Sequence, residues 1–175
     1  MRLYKRWQQA EKMRIEKAIR TDAEDLTELT IRSKSHWNYS RQQIENWRND
    51  LTISETYIAE KEVYKLTDNE NKIIGYYSYF KMDNLIVKLE NLFVEPEFIK
   101  RGFGKMLMTD FLQRIKKSNI EKIILDADPN AEKFYEQIGF KVIGKLETSI
   151  KDRFLPIMEL KIKPVANRVD GSASN

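Results

Sequence analysis

The spacing of apolar and polar residues predicts two helices near the start of the chain. Thr21 and Glu24 have the spacing of a capping box with Thr as the N-cap, and leucines follow at helical intervals. This pattern predicts a helix of about 14 residues that begins there. Ser40 and Gln43 repeat the signature ahead of an apolar stripe that continues to Leu51, so a second helix is expected.

Two further helices are predicted in the second half of the chain. Apolar residues recur with a period of about 3.6 from Phe103 to Ile115, which indicates a helix over about 102–117. Asn130 is placed to cap a short helix. Gly139 stands at the C′ position of that helix, where a left-handed residue commonly ends one.

Several segments rich in β-branched and aromatic residues have the character of strands. They are 13–20, 56–66, 72–80, 85–94, 121–127, 140–145 and 155–162. The three segments between residues 56 and 94 follow one another across short turns, which predicts an antiparallel meander. The strands before and after the helix at 102–117 form a crossover unit, so they should be parallel neighbours.

The composition narrows the chemistry. The 175 residues suit one domain, and they include no cysteine and one histidine, His36. Disulfides, thiolate metal sites, a cysteine nucleophile and a multi-histidine metal site are therefore excluded. No apolar run has the roughly 20 residues that a bilayer span needs, and residues 1–12 lack the apolar middle of a signal peptide. The expected protein is soluble, cytoplasmic and free of metal.

The net charge of +4 is concentrated at the start of the chain. Residues 1–20 carry seven Lys/Arg and two Glu, a net of +5, so the remainder is close to neutral at −1. Nucleic-acid binding needs a clustered basic face, so a nucleic-acid partner is not expected. A basic interaction protein that works through residues 1–20 stays as a minor alternative.

A glycine pair opens the helix predicted at 102–117. Gly102 and Gly104 lie between two basic residues, and a helix that starts with glycines offers free N–H groups to an anion. The familiar phosphate-binding motifs do not fit. A dinucleotide fingerprint requires glycine at position 107, which is Leu107, and a Walker P-loop requires glycine at position 99, which is Ile99. By themselves the glycines are also explained by a tight turn.

A calcium site was the other interpretation of the polar segment that follows the strand at 121–127. Asp126, Asp128 and Asn130 copy the opening of an EF-hand loop. The glycine and glutamate that such a loop requires further on are replaced by Ala131 and Gln137. A metal site is therefore not predicted.

Two segments together resemble the GCN5-related N-acetyltransferase (GNAT) superfamily. The pyrophosphate loop of that family, Gln/Arg-x-x-Gly-x-Gly/Ala, is similar to IKRGFG at 99–104, and Ile99 departs from it because the family has Gln or Arg there. The matching residues of the later block are Asn130, Phe134, Tyr135, Gly139 and Phe140. The order of elements also agrees over about residues 14–163.

The resemblance implies a fold, a domain plan and an activity. The fold is α+β, with a GNAT-type twisted sheet of about six to seven strands, mostly antiparallel and partly parallel, and helices on both faces. The acetyltransferase domain is 13–163, after a basic extension at 1–12 and before a disordered tail at 164–175. The implied activity is transfer of an acetyl group from acetyl-CoA directly to a primary amine of a small molecule or peptide, through a tetrahedral intermediate. A non-catalytic acyl-CoA-binding or sensing module is the alternative, and the choice between monomer and homodimer stays open.

The resemblance also assigns roles to individual residues. Those expected to bind acetyl-CoA, with the backbone amides of 101–105 on its phosphates, are Leu92, Phe93, Val94, Arg101, Gly102, Phe103, Gly104, Lys105, Asn130 and Phe134. Tyr135 is expected to protonate the leaving thiolate, although its pattern also suits a core aromatic residue. Glu90 is the first candidate for the base, and His36 is the second.

The amine acceptor is expected to meet the loop between the first two helices. In the family this region forms one wall of the acceptor cleft, which would place His36, Trp37 and Tyr39 there. The alternative is that these residues pack the two helices together, and for Trp37 packing is favoured.

Overall fold

The chain folds around a seven-stranded mixed sheet. A computed structural model describes residues 13–148 and 153–162. The strands are β1 (Arg14–Lys17), β2 (Glu62–Thr67), β3 (Ile73–Lys81), β4 (Ile86–Val94), β5 (Lys122–Asp126), β6 (Lys141–Glu147) and β7 (Phe154–Lys161). The helices are α1 (Ala23–Ser35), α2 (Arg41–Asn46), α3 (Glu55–Glu60), α4 (Phe103–Ile115) and α5 (Glu132–Ile138).

The sheet contains the strand pairings that the sequence predicts. Its strand order is β1-β2-β3-β4-β5-β7-β6. Every neighbouring pair is antiparallel except β4 and β5, which are parallel. The α+β fold class, the meander of β2, β3 and β4, and the parallel pair across the α4 crossover are thus confirmed.

The first helix begins later than its capping pattern predicts. Arg20–Asp22 form a 3₁₀ turn, and α1 follows directly with Asp22 as its N-cap. The prediction of Thr21 as the N-cap was therefore wrong. The Asp22 carboxylate accepts from the N–H of Ile19 and from Nζ of Lys65, each at 2.8 Å, and these bonds fix the turn ahead of the helix.

Two serine caps shape the region between α1 and β2. The predicted Ser40 capping box is confirmed: Ser40 Oγ accepts from the N–H of Gln43, and the Gln43 amide oxygen accepts from the N–H of Ser40. The single strand predicted over 56–66 was wrong in its first half, which is α3. Ser54 Oγ accepts from the N–H of Tyr57 at 3.0 Å and caps that helix. Its six residues are too few for a helical period to emerge from the pattern.

The start of α5 also differs from the prediction, whereas its end agrees. A 3₁₀ turn, Pro129–Ala131, precedes the helix, and its cap is Asp128 rather than Asn130. The Asp128 carboxylate accepts from the N–H of Asn130 at 3.0 Å. Gly139 ends α5 with φ of 111°, as the C′ pattern predicts.

Different helices cover the two faces of the sheet. Tyr76 and Tyr77 are consecutive, fully buried residues of β3, so their side chains lie on opposite faces. Tyr76 packs in a cluster with Leu29 of α1 and Ile58 of α3. Tyr77 packs in a larger cluster with Phe111 of α4. The prediction of helices on both faces is confirmed.

The two predicted terminal segments, 1–12 and 164–175, lie outside the described residues. In the part of the chain that is described, no helix combines the length and the apolar character that crossing a membrane requires.

Candidate active site

A cleft opens where β4 and β5 separate. The two strands are paired only from Ile86 with Lys122 to Lys88 with Ile124. Beyond these pairs β4 continues to Val94 alongside β3 alone. The gap belongs to a cavity of about 880 Å³ whose walls come from α1, β4, the start of α4, the end of β5, α5 and the β6–β7 end of the sheet.

The backbone of β4 offers hydrogen-bonding groups to this gap. The N–H of Glu95 donates to the carbonyl of Ile74 at 2.8 Å, so this position faces β3. Because backbone groups alternate sides along a strand, Phe93 also directs its N–H and C=O toward β3. Leu92 and Val94 direct theirs toward the gap. Of the three β4 residues predicted to bind acetyl-CoA, these two have backbone groups available.

The glycine loop presents four free N–H groups. Gly102 is the N-cap of α4, and its φ of 96° is left-handed. The N–H groups of 102–105 meet no acceptor among the described residues, whereas that of Arg101 donates to the carbonyl of Phe98 at 3.3 Å. The available amides therefore begin one residue later than the predicted range of 101–105.

Only some of the side chains of this loop line the cleft. Those that line the cleft are Ile99, Lys100 and Lys105. Arg101 and Phe103 are absent from its wall: the Phe103 ring packs edge-on against Phe98 at 5.4 Å, and the Arg101 guanidinium lies 5.5 Å from the same ring. The positive charge beside the free N–H groups is thus that of two lysines.

Tyr135 lies in the wall that α5 forms. It is 8% exposed, and its ring packs edge-on against Phe134 and Phe140, with centroids 5.2 and 5.6 Å away. Its hydroxyl makes no hydrogen bond with a described residue. Burial, together with the negative charge of Asp128, raises the pKa of Tyr135 above its ordinary value of 10.0. The phenol is therefore protonated at neutral pH.

Asp128 joins the end of β5 to the helical wall. Its carboxylate accepts from Lys34 Nζ at 2.5 Å and from the Tyr39 hydroxyl at 2.8 Å. Burial opposes ionisation, but the Lys34 ammonium, together with the Asn130 N–H and the Tyr39 hydroxyl, holds the pKa of Asp128 below its ordinary value. Arg153 donates to the Tyr39 hydroxyl at 3.0 Å, and its guanidinium lies 5.0 Å from the ring of Trp47. These five residues bind the α1–α2 region to the sheet beside the cleft.

Glu90 reaches the cleft from a β-bulge. Consecutive residues of β3 pair with Asn91 and Leu89, so Glu90 between them has no partner in the ladder. A bulge of this kind re-aims a side chain, and the exposed Glu90 lines the cleft. Its Oε2 accepts a hydrogen bond of 2.6 Å from the hydroxyl of Tyr57.

The residues predicted around the acceptor fall in different places. Trp37 lines the cleft, and so does Asn130, whose amide donates to Asp128 at 2.9 Å. Tyr39 lies behind the wall, bonded to the same carboxylate. His36 is exposed and does not line the cleft, so the second candidate for the base stands outside it.

Sequence reasoning missed residues that come together only in three dimensions. The missed residues of the cleft wall or its support are Lys34, Trp47, Tyr57, Ser78, Asn91 and Arg153. Asp126 and Asp128 were considered only as calcium ligands. In the described part of the chain no acidic or histidine cluster suits a metal, and Asp126 accepts instead from Lys88 at 2.7 Å. Their position at the end of a strand that follows a crossover was the available signal.

Comparison with known proteins points to one family. A family model described as an acetyltransferase (GNAT) domain matches residues 35–160, which include β2–β6, nearly all of β7, and α2–α5. This range is well over half of the chain and includes β4, the glycine loop and α5.

Individual relatives agree with this match. The protein YafP of Escherichia coli (strain K12), named an uncharacterised N-acetyltransferase, is 26% identical over 137 residues, 78% of this chain and 83% of YafP. The ycf52 protein of Gracilaria tenuistipitata var. liui, named likewise, is 26% identical over 91 residues, 51% of this chain and 49% of that protein. The chain thus spans about half the length of this relative, and 42% of its counterparts in Pyropia yezoensis and Porphyra purpurea.

Solved structures share the fold. The PaiA N-acetyltransferase from Thermoplasma acidophilum, in complex with coenzyme A, has a TM-score of 0.70 at 23% identity, covering 86% of this chain and 99% of that one. A GCN5-related N-acetyltransferase from Rhodopseudomonas palustris has a TM-score of 0.72 at 18% identity, covering 86% and 96%.

Proposed function

Because the chain belongs to the GNAT acetyltransferase family, we propose that its cleft binds acetyl-CoA and transfers the acetyl group to a primary amine of a small molecule or peptide. The observation that carries this proposal is the continuity of two features within one cavity. The free backbone of β4 and the free N–H groups of Gly102, Gly104 and Lys105 belong to residues that line it.

The chemistry of the cleft fits coenzyme A. Backbone N–H groups at a helix N-terminus suit phosphate oxygens, and Lys100 and Lys105 add positive charge beside them. The missing side chain of Gly104 leaves room in the cleft, because a Cβ there would lie 3.7 Å from the Phe134 ring and 3.9 Å from Leu92. Leu92 and Val94 of β4 offer the N–H and C=O groups that an extended amide chain can pair with.

The residues of the chain supply the remaining requirements of acetyl transfer. Acetyl-CoA, when bound, provides the thioester: the amine nitrogen bonds to the acetyl carbon, the carbon–sulfur bond breaks, and coenzyme A leaves as a thiolate. Glu90 accepts the proton that the amine releases, directly or through water. A backbone N–H of β4 stabilises the negative charge on the acetyl oxygen. Tyr135 donates its hydroxyl proton to the thiolate.

The Tyr135→Phe variant tests this proposal. Thiol release from acetyl-CoA is measured over a panel of primary amines, and kcat should fall by about 100-fold, within the range of general acid catalysis. The affinity for acetyl-CoA should stay within about twofold, because the aromatic ring is kept. Tyr79→Phe is a matched control, since it removes a tyrosine hydroxyl that does not line the cleft, beside Phe111.

Two results would contradict the proposal. Equal kcat for the wild type and Tyr135→Phe would remove Tyr135 from the acid role. Tight binding of acetyl-CoA without turnover of any amine would instead favour the non-catalytic acyl-CoA-binding module.

A further inference from the structure

Glu90 belongs to a cluster of four hydrogen-bonded side chains beside the cleft. Tyr57 reaches across from α3, Ser78 comes from β3, and Asn91 follows Glu90 on β4. The Tyr57 hydroxyl is 2.6 Å from Glu90 Oε2, 2.7 Å from Ser78 Oγ and 2.9 Å from Asn91 Nδ2. Asn91 Nδ2 is also 2.9 Å from Ser78 Oγ. Ser78 is fully buried, so the cluster is anchored in the sheet.

The number of available protons fixes the donor and the acceptor of each hydrogen bond in this cluster. A carboxylate only accepts hydrogen bonds, so the single hydroxyl proton of Tyr57 must go to Glu90. The Tyr57 oxygen then accepts from Ser78 and from the Asn91 amide, whose second proton goes to Ser78 Oγ. Every donor therefore points toward Glu90, and a chain of donors aligned in this way strengthens its last bond.

We propose that Tyr57 is a positioning residue for acetyl transfer, which holds Glu90 Oε2 so that Oε1 is aimed at the acceptor amine and takes its proton. Among the described residues, Glu90 makes hydrogen bonds only through Oε2. The bulge directs the Glu90 side chain toward the cleft, and the hydrogen bond from Tyr57 fixes the orientation of its carboxylate. This inference rests on the acetyltransferase function proposed above and adds a residue to it that the cleft wall does not include.

Other charged groups of the cleft do not replace Tyr57. Asp126 is bound by Lys88, and Asp128 is bound by Lys34 with Arg153 nearby. The remaining charged residues of the wall are Asp50, Lys100, Lys105 and Glu147, and none has a recorded contact with Glu90. Tyr57 is thus the only described side chain that donates a hydrogen bond to this carboxylate.

The test compares the pH dependence of kcat in three full-length proteins, which are the wild type, Tyr57→Phe and Tyr64→Phe. In Tyr57→Phe the carboxylate loses a donor that favours its charged form. We expect kcat at neutral pH to fall about tenfold, the KM for the amine to stay within about twofold, and the acidic limb of the kcat profile to move up by about one pH unit. Tyr64→Phe is the matched control, because it removes a similar bond of 3.0 Å from a tyrosine to Glu62 away from the cleft. Its profile should match that of the wild type.

Ser78→Ala provides a second measurement that does not depend on the folding of Tyr57→Phe. It removes one donor to the Tyr57 oxygen from a buried position, and the acidic limb should move in the same direction by a smaller amount. If neither variant moves the limb while the wild type is active, the cluster only fixes α3 to the sheet and the inference is wrong. A wild type that acetylates no amine would instead overturn the proposed function and the inference with it.

Discussion

At the scale of single residues, the two glycines of the loop do different work. Gly102 has a left-handed backbone with φ of 96°, which a side chain disfavours. Gly104 does not have a positive φ, and a Cβ on it would make ordinary contacts with Phe134 and Leu92. The first glycine is thus favoured by its backbone conformation, whereas a side chain at the second would occupy space beside Phe134 and Leu92 in the cleft wall.

Substitution by alanine should separate these two requirements. Gly102→Ala should lower the free energy of unfolding by about 1–2 kcal/mol, because a Cβ in the left-handed region is strained. Gly104→Ala should leave that free energy unchanged or raise it, since alanine favours a helix, while its methyl group in the cleft weakens acetyl-CoA binding about tenfold. Urea denaturation and calorimetric titration measure the two quantities.

Ile99→Ala is the control for the binding arm of this experiment. It shortens a side chain of the cleft wall without placing an atom between Phe134 and Leu92, so its effect on acetyl-CoA affinity should be small. Equal losses of affinity in Gly104→Ala and Ile99→Ala would mean that the loop only turns the chain.

At the scale of elements, α3 is a short helix that carries Tyr57, the residue that contacts Glu90. It has six residues, fewer than an isolated helix needs to persist. Its stability comes from the Ser54 cap and from Ile58, which is 4% exposed against the sheet. Because Tyr57 is on this helix, the cap also supports the cluster that holds Glu90.

Removal of the cap should therefore lower the stability of the protein. Ser54→Ala should lower the free energy of unfolding by about 1 kcal/mol, because the N–H of Tyr57 loses its acceptor. Ser54→Asp keeps an acceptor at the same position and should restore most of that loss. Chemical denaturation of the three proteins measures the effect, and equal instability of the two variants would argue against a capping role.

At the scale of the whole molecule, the core contains several tyrosines that oppose ionisation. Tyr76 and Tyr77 are fully buried on opposite faces of the sheet. Burial is the main cause that raises the pKa of both, and it raises the pKa of Tyr79 to about 12. In the unfolded chain each tyrosine ionises near its ordinary pKa of about 10. The folded state therefore binds more protons than the unfolded state above that pH.

Stability should consequently fall at alkaline pH. A folded pKa above the unfolded one contributes stability that is complete below about pH 10 and is lost as the pH rises toward the folded pKa, at up to ~1.4 kcal/mol per pH unit for each tyrosine. Urea denaturation between about pH 8 and 11 measures the slope. In Tyr76→Phe the slope should be shallower by one such contribution, and Thr30 keeps its bond of 2.7 Å to the carbonyl of Leu26. An identical slope in the wild type and this variant would contradict the argument.

The pattern of apolar positions was sufficient for the long elements and for their connection. The meander, α4 and the parallel pair were predictable because each has several repeats of its period and because the crossover has one favoured hand. Short elements were harder to predict from the sequence. α3 was predicted as part of a strand. The start of α1 was misplaced because Arg20–Asp22 form a 3₁₀ turn whose Asp22 carboxylate bonds Lys65 of β2, a contact that local spacing does not reveal.

The sequence by itself determined the resemblance to the family, because the motifs of the glycine loop and of the block from Asn130 to Phe140 lie in local spacing, and that resemblance made Tyr135 and Glu90 candidates. Tertiary structure alone decided that β4 and β5 part after Lys88, that Glu90 stands on a bulge, and that Tyr57 meets it. The physical reason is distance along the chain. Tyr57 and Glu90 are 33 residues apart, and no local period or propensity records a hydrogen bond that forms only after the sheet and its helices have packed together.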